Sequence, residues 1–517
     1  MPIPVITVAQ MREWEKATWA SGQKEDVVMR RAGLAVARVV ERLTRPGDFV
    51  LVLAGKGHNG DDTAYAGDLL KERKVHLLRV IDPEISAKEL APLLARRPAL
   101  VLDGLFGIGL NRPLAGAWMR LIEQINQAQL PVLAVDVPSG LNADTGLPLD
   151  NAVRATTTVT LAAVKQGLLK ATAWPFVGRL EVAPEIGLLP YPFTTEMSWI
   201  APEDFIGFPP ARPVAGHKGT FGHLAIVAGS FGYHGAAVLA ARGAQRAQPG
   251  LITLLPHEAA YMPVAAQLQS VMVQPWSGEP SLPNSCTAVL IGPGLAARNL
   301  PEDLQRFTRR LWQDSPLPVI VDASALDWLP PGAWTDQALR VITPHPGEAA
   351  RLLKTTANEV QNDRAQATRE LSRRWGNCHV ILKGAQTLIG RSKTDLLVNS
   401  SGNPHLAQGG SGDLLAGYVG GWLAQPALHA EAAPRAGLRG VAARCGGGRA
   451  ARGAVELDGG GFGGDSGQRE NLRITATRHA PGRTAARWRL RSRLKRSKPT
   501  AMSASLEISV LRSCPRE

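Results

Sequence analysis

The chain is poor in cysteine and tyrosine, with four Cys and five Tyr in 517 residues. No two cysteines form a C-x-x-C pair, so a disulfide framework is not expected and a reducing compartment is. No apolar run reaches the ~18–20 residues that a membrane-spanning helix needs. The opening, MPIPVITVAQMREWEKATW, lacks a basic segment followed by an apolar one, so no secretory leader is expected. These absences point to a soluble, cytoplasmic protein with no membrane partner. Acidic residues are also few relative to basic ones, giving a net charge of +14. That excess is local. Residues 425–517 hold sixteen Arg and two Lys against seven acids, a net of +11, which leaves +3 for the first 424 residues. Nucleic acid is therefore not an expected partner unless the basic tail is a genuine binding arm.

What is present is apolar patterning. At this length two or three domains are expected. Residues 5–45 carry apolar positions near helical spacing. The short runs DFVLVLAG, KVHLLRVI, ALVLDGLFG and LPVLAVDVPSG follow, each ending in Gly, Asp or Ser or carrying one near its end. Such runs, separated by helix-length stretches, predict a doubly wound α/β sheet with ligands beyond the carboxyl ends of its strands. Residues 190–213 are rich in proline and read as a linker. A second series, HLAIVAGS, GLITLLP, AVLIGPG, LPVIVDAS, LRVITPHPGE and CHVILKGAQT, predicts another α/β unit. The expected fold is an N-terminal Rossmann-like domain, residues 1–210, a second α/β domain, 211–424, and an irregular basic tail, 425–517.

Three strand ends in the first half carry polar chemistry. AGKGHNGDD places Asn59, Asp61 and Asp62 at a glycine turn whose backbone N–H groups can face an anion. LDGLFGIGLNRP and VDVPSGLNADTG place Asp103, Asp136 and Ser139 at two more. One aspartate alone is more often a helix cap. Three strand ends converging on one crevice, with carboxylate, amide and hydroxyl oxygens, suit a hard cation.

These motifs, with KQG at 165–167, resemble the NAD(P)H-hydrate epimerase domain over roughly residues 5–205. The resemblance implies that His58, Asn59, Gly60, Asp61 and Asp62 contact a hydrated dinucleotide. It implies the same for Gly107, Ile108, Gly109, Leu110, Asn111, Arg112 and Pro113. Asn59, Asp103 and Ser139 would hold potassium, and Asp136 would sit by the substrate. Exchange of the R and S hydrates needs proton transfer at C6 of the nicotinamide ring, and Asp136 is the candidate acid/base.

In the second half, GSFGYHGAA, IGPGL, TPHPGE, KGAQT and GNPHLAQGGSGD fall at expected strand ends or just beyond. Lys383 and Thr387 can meet phosphate oxygens. The N–H groups of Gly409 to Gly412, at a helix start, form an anion site. Asp413 then lies beside it, placed to take a hydroxyl proton while a phosphoryl group moves. HKGTFG, GYHGAA, TPHPGE and KGAQT make this half resemble the ribokinase-like superfamily, and within it the ADP-dependent NAD(P)H-hydrate dehydratases. By that resemblance Ala237, Gly294, His345 and Asp413 contact the hydrated dinucleotide. Lys383, Gly384, Ala385, Gln386, Thr387 and Gly412 contact the adenine nucleotide, with Mg²⁺ as helper. The expected substrates are hydrated NADH or NADPH and ADP, and a homo-oligomer is expected.

After about Ala424 the apolar periodicity stops and Gly and Arg dominate. In a GC-rich gene this is the texture of a shifted reading frame, and a frameshift near codons 424–440 is the favoured explanation. The alternative to a bifunctional repair enzyme is a small-molecule kinase of the ribokinase-like group fused to a nucleotide-binding regulatory domain.

Overall fold

The computed structural model describes residues 2–428 except 207 and 335–337. Local signals start its helices where the sequence supplies them. Thr7 and Gln10 form a reciprocal capping box on the helix Val8–Ala20. The helix Glu25–Leu43 has acids in its first turn and Arg42 in its last, matching its dipole. Its buried face, including Val28, Ala32, Val36 and Val40, turns to the core.

The first half builds a six-stranded parallel sheet. Its order is Lys74–Arg79, Phe49–Ala54, Leu100–Gly104, Val132–Val135, Thr157–Leu161, Arg179–Ala183. From Phe49–Ala54 the chain winds first to one side and then to the other. The crevice between the ends of Phe49–Ala54 and Leu100–Gly104 is therefore the switch point, where such sheets bind ligands. All four runs expected here as strands are strands.

The second half builds a larger sheet. Its parallel part runs Met272–Val273, Leu251–Leu255, His223–Val227, Ala288–Ile291, Val319–Val321, Arg340–Ile342, His379–Leu382. Its switch point lies between His223–Val227 and Ala288–Ile291. An antiparallel pair, Leu388–Gly390 and Leu396–Asn399, extends it. The six runs expected as strands are all present.

The sheet does not stop there, and this corrects the linker expected over 190–213. Met197–Ile200 pairs parallel with Leu396–Asn399, then Ile3–Ile6 and Val164–Lys165 add on. Three strands of two to four residues from the first half thus complete the sheet of the second. They are too short to show a period, and Pro4 inside Ile3–Ile6 and the proline-rich stretch around Met197–Ile200 masked two of them further.

Two helices of the second half approach backbone to backbone. A Cβ on Gly417, in Ser411–Leu423, would fall 1.8 Å from the Ala240 carbonyl oxygen, and one on Gly243, in His234–Ala247, 2.2 Å from that of Leu414. Glycine is the residue that permits this crossing. The chain stays packed just past Ala424. Gln425 is buried and donates to the Ala247 and Gly421 carbonyls. The rest of the expected basic tail, from 429 on, lies outside the described residues.

Candidate functional sites

At the first switch point, glycines bring two loops into contact. A Cβ on Gly55 would lie 2.0 Å from the Leu105 carbonyl oxygen. The Asn59 amide reaches across and donates to the Phe106 carbonyl at 2.9 Å. Its other atom, Oδ1, is buried with no hydrogen-bond partner. Asp103 is fully buried at its strand end. It accepts from the Ser139 hydroxyl at 2.6 Å and the Ser139 N–H at 2.8 Å. The Phe106 N–H in turn donates to Ser139 Oγ. Burial pushes the Asp103 carboxyl up to about 6, against the pull of its Ser139 hydrogen bonds. Asn59, Asp103 and Ser139, expected together, are together, and every donor atom they offer a cation is oxygen.

Asp136 sits beside this cluster in the left-handed region, at φ 64°. A non-glycine residue there stores about 1–3 kcal/mol unless its surroundings hold it. They do. Asp136 Oδ1 accepts from Lys165 Nζ at 2.5 Å, the Leu161 N–H at 3.0 Å and the Thr160 hydroxyl at 3.2 Å. Lys165 is fully buried and also donates to the Leu161 carbonyl.

Asp62 is 8 % exposed, and its Oδ1 has no partner. Burial raises its carboxyl to about 8, with the charges of Asp136, Asp61, Glu15 and Glu25 adding to the rise. Glu15 is raised as well, first by burial and against the nearby Lys165. Asp61 instead pairs with Arg79 at 2.8 Å, and the exposed His58 lies 3.3 Å from Glu25. Of the 107–113 loop, Gly107 runs close to Asn59, where a Cβ would lie 3.1 Å from the Asn59 Cβ, while Gly109, Asn111, Arg112 and Pro113 are exposed.

In the second half the ends of three neighbouring strands meet one helix start. Asp322 follows Val319–Val321, Thr343 follows Arg340–Ile342 and Lys383 follows His379–Leu382. Lys383 Nζ donates to Asp322 Oδ1 at 2.7 Å and lies 3.5 Å from Glu348 Oε2. The Thr343 hydroxyl donates to the same Asp322 oxygen. Burial pulls the Lys383 ammonium down, but Asp322 and Glu348 outweigh it and leave it raised. A Cβ on Gly412 would stand 3.5 Å from Lys383 Nζ, so the lysine faces the start of Ser411–Leu423. Asp413, in that first turn, is pushed up to about 6 by burial and Asp322, with Lys383 opposing.

His345 caps the helix Pro346–Leu353: its Nδ1 accepts from the Gly347 and Glu348 N–H groups, and its own N–H donates to Glu348. Ala237 and Gly294 sit at the second switch point. A Cβ on Gly294 would collide with Ala236, and one on Gly229 with Ala237. In the 384–387 turn Gln386 is left-handed at φ 52°, and the exposed Thr387 hydroxyl donates to the Gly384 carbonyl.

Sequence reading missed three participants. Lys165 stood in a quoted motif without a role. Asp322 stood at the end of a quoted strand, the same signal that singled out Asp103 and Asp136. Glu15 gave no local signal, because only the fold brings it to its site.

The first half matches the family model described as YjeF-related protein N-terminus, over residues 25–92 and 79–167. The second matches the NAD(P)H-hydrate dehydratase model over residues 224–454, a span that runs past the expected boundary at 424. The bifunctional NAD(P)H-hydrate repair enzyme Nnr of Coxiella burnetii is 33 % identical over 82 % of this chain and 91 % of its own length. Its namesake in Gloeobacter violaceus is 34 % identical over 81 % and 89 %. A solved ADP/ATP-dependent NAD(P)H-hydrate dehydratase from Bacillus subtilis, co-crystallised with ATP/Mg²⁺, is 29 % identical. It covers 48 % of this chain and 86 % of its own, with a TM-score of 0.41.

Proposed function

The chain belongs to the bifunctional NAD(P)H-hydrate repair enzymes, which join an epimerase to an ADP-dependent dehydratase, and we infer that its two strand-end clusters carry those two reactions. One observation supports the division above others: each half brings a candidate proton-carrying carboxylate to the same crevice as a buried lysine, Asp136 with Lys165 and Asp413 with Lys383. Relatives that match both halves together leave no role for a regulatory fusion to a vitamin-type kinase.

In the epimerase half, Asp136 accepts the C6 hydroxyl proton as the bond from C6 to the ring nitrogen opens. Asp62, still protonated near neutral pH, supplies a proton to that nitrogen. Closure on the other face reverses both transfers and yields the other epimer with no net change of atoms. Lys165 keeps the strained Asp136 aimed. The unpartnered Asn59 Oδ1 and the oxygens of Ser139 and Asp103 fit a potassium ion, and the Phe106 carbonyl lies beside them. Potassium bound there would supply a fixed positive charge beside the substrate.

In the dehydratase half, Asp413 takes the C6 hydroxyl proton while the terminal phosphoryl group of ADP moves to that oxygen, releasing AMP. The C6–O bond then breaks, phosphate leaves, and loss of the C5 proton restores NAD(P)H. Phosphate leaves where water would not, which is why a kinase-type site serves a dehydration. Lys383 and the Gly409–Gly412 N–H groups stabilise the moving charge. Among the described residues no three His, Cys, Asp or Glu are grouped to hold a metal, so Mg²⁺ enters this scheme as the counter-ion of ADP.

We extend the proposal to a cytoplasmic homo-oligomer. The two described cysteines are free and buried, and no described helix is long and apolar enough to cross a membrane. Light scattering on the purified chain tests the oligomer. For the tail we propose the reading-frame shift, which resequencing without a shift would overturn. The deciding assay supplies both epimers of hydrated NADH. The expected result is ADP-dependent return of the dihydronicotinamide absorbance from the whole mixture. Stable phosphorylation of an unrelated alcohol, with no such return, would sink the reading.

A further inference from the structure

Arg364 is a buried cation whose hydrogen bonds all go to neutral groups. Its guanidinium donates to Gln361 Oε1 at 2.9 Å and to the carbonyls of Leu382 and Lys383 at 3.1 and 3.4 Å. It is 6 % exposed, and no carboxylate among the described residues pairs with it. Burying a charge without a counter-charge is costly, so some other demand keeps it there. Its place names the demand. A Cβ on Gly384 would lie 2.8 Å from Arg364 Nη1, so the guanidinium lies directly behind the 383–387 turn assigned to ADP. There it binds the two carbonyl oxygens of the chain that leads into the turn. It also adds positive charge to a site whose lysine is already shared by Asp322 and Glu348.

The outer side of this arginine is closed by the other half of the chain. Its guanidinium carbon stands 5.9 Å from the centre of the Trp174 ring, within cation–π range. Trp174 opens the short helix Trp174–Val177, in the run of turns that follows Lys165. The helix Ala357–Asn362, just ahead of Arg364, packs on the turn Ala171–Ala173 of that run.

We propose that Arg364 is a positioning residue of the nucleotide turn and that Trp174 of the epimerase half completes its seat, so that ADP binding in one half depends on a side chain of the other. The inference rests on the nucleotide reading of 383–387. The guanidinium is required because its two terminal nitrogens divide the work, Nη2 on the two carbonyls and Nη1 on Gln361, a span one ammonium does not cover.

The test uses the full chain and ADP itself, with calorimetric titration beside the kinetics of both reactions. Arg364→Met is expected to weaken ADP binding by about 10- to 100-fold. Arg364→Lys should recover little of that loss. Trp174→Leu should raise the KM for ADP by about two- to tenfold, with kcat for dehydration and the rate of R/S exchange unchanged. Should Arg364→Met fail to fold, the other two variants carry the test. Wild-type ADP affinity in Trp174→Leu and Arg364→Lys overturns the inference, as does an equal loss in both reactions, which marks mere structural damage. A wild-type chain that binds no ADP overturns the nucleotide reading as well. ADP binding that Lys383→Ala abolishes, but Arg364 and Trp174 variants leave intact, overturns this inference alone.

Discussion

The two halves answer one problem, holding a carboxylate ready for proton transfer, in different ways. In the first half Lys165 binds the proposed base directly, and Asp136 Oδ1 has three donors on it. In the second, Lys383 gives its ammonium to Asp322 and Glu348, and Asp413 is left to titrate at about 6. The first half has raised carboxyls too, but on other elements, in Asp103 and in Asp62 of the helix His58–Leu69. The comparison teaches that a buried lysine can fix a base in place or charge the space beside it, according to which carboxylate it contacts. Epimerisation moves protons within one substrate and gains from a fixed geometry. Phosphoryl transfer builds negative charge and gains from a cation that is not locked to the base.

The largest test of that comparison exchanges the bases. Asp413→Asn should slow dehydration by about 10²–10⁴-fold and leave R/S exchange intact, and Asp136→Asn should do the reverse. Separate rates on purified epimers read both. A variant that slows both reactions alike breaks the division of labour.

Next come the lysines. Lys165→Met strips Asp136 of a fully buried cation and should cost about 3–5 kcal/mol in denaturant unfolding. Lys383→Met should cost at least as much, because it orphans two carboxylates, Asp322 at 2 % and Glu348 at 9 % side-chain exposure, against 11 % for Asp136. A much smaller loss for Lys383→Met would mean that water reaches Asp322 and Glu348 once the lysine is gone.

The finest test is pH. Dehydration should rise as pH passes about 6, where Asp413 becomes the carboxylate a base must be. Epimerisation should fall as pH passes about 8, where Asp62 gives up its proton, and Asp62→Asn should remove that limb. The same group has a sign in stability. Its carboxyl titrates at 3.8 by default and at about 8 in the fold, so the folded state holds the proton through that window. Its contribution is complete below the lower value and is lost as pH climbs to the higher one. Asp62→Asn should flatten this part of a stability profile. An unchanged slope would mean that Asp62 is ionised throughout.

Both sheets and most strand-end residues were legible because each rests on a local signal: an apolar run, a glycine turn, an aspartate where a strand stops. Asp103, Asp136, Lys383 and Asp413 were all found that way. The sequence by itself determined two α/β units, their crevices and the chemistry offered at each. It did not reveal that Ile3–Ile6, Val164–Lys165 and Met197–Ile200 finish the sheet of the other half. Nor did it show that Lys165 meets Asp136, or that Arg364 lies between Trp174 and the nucleotide turn. Those facts depend on pairings between residues far apart in the chain. Burial, not residue type, then decides which carboxyl keeps its proton and which cation goes without a counter-ion, and burial is a property of the folded chain alone.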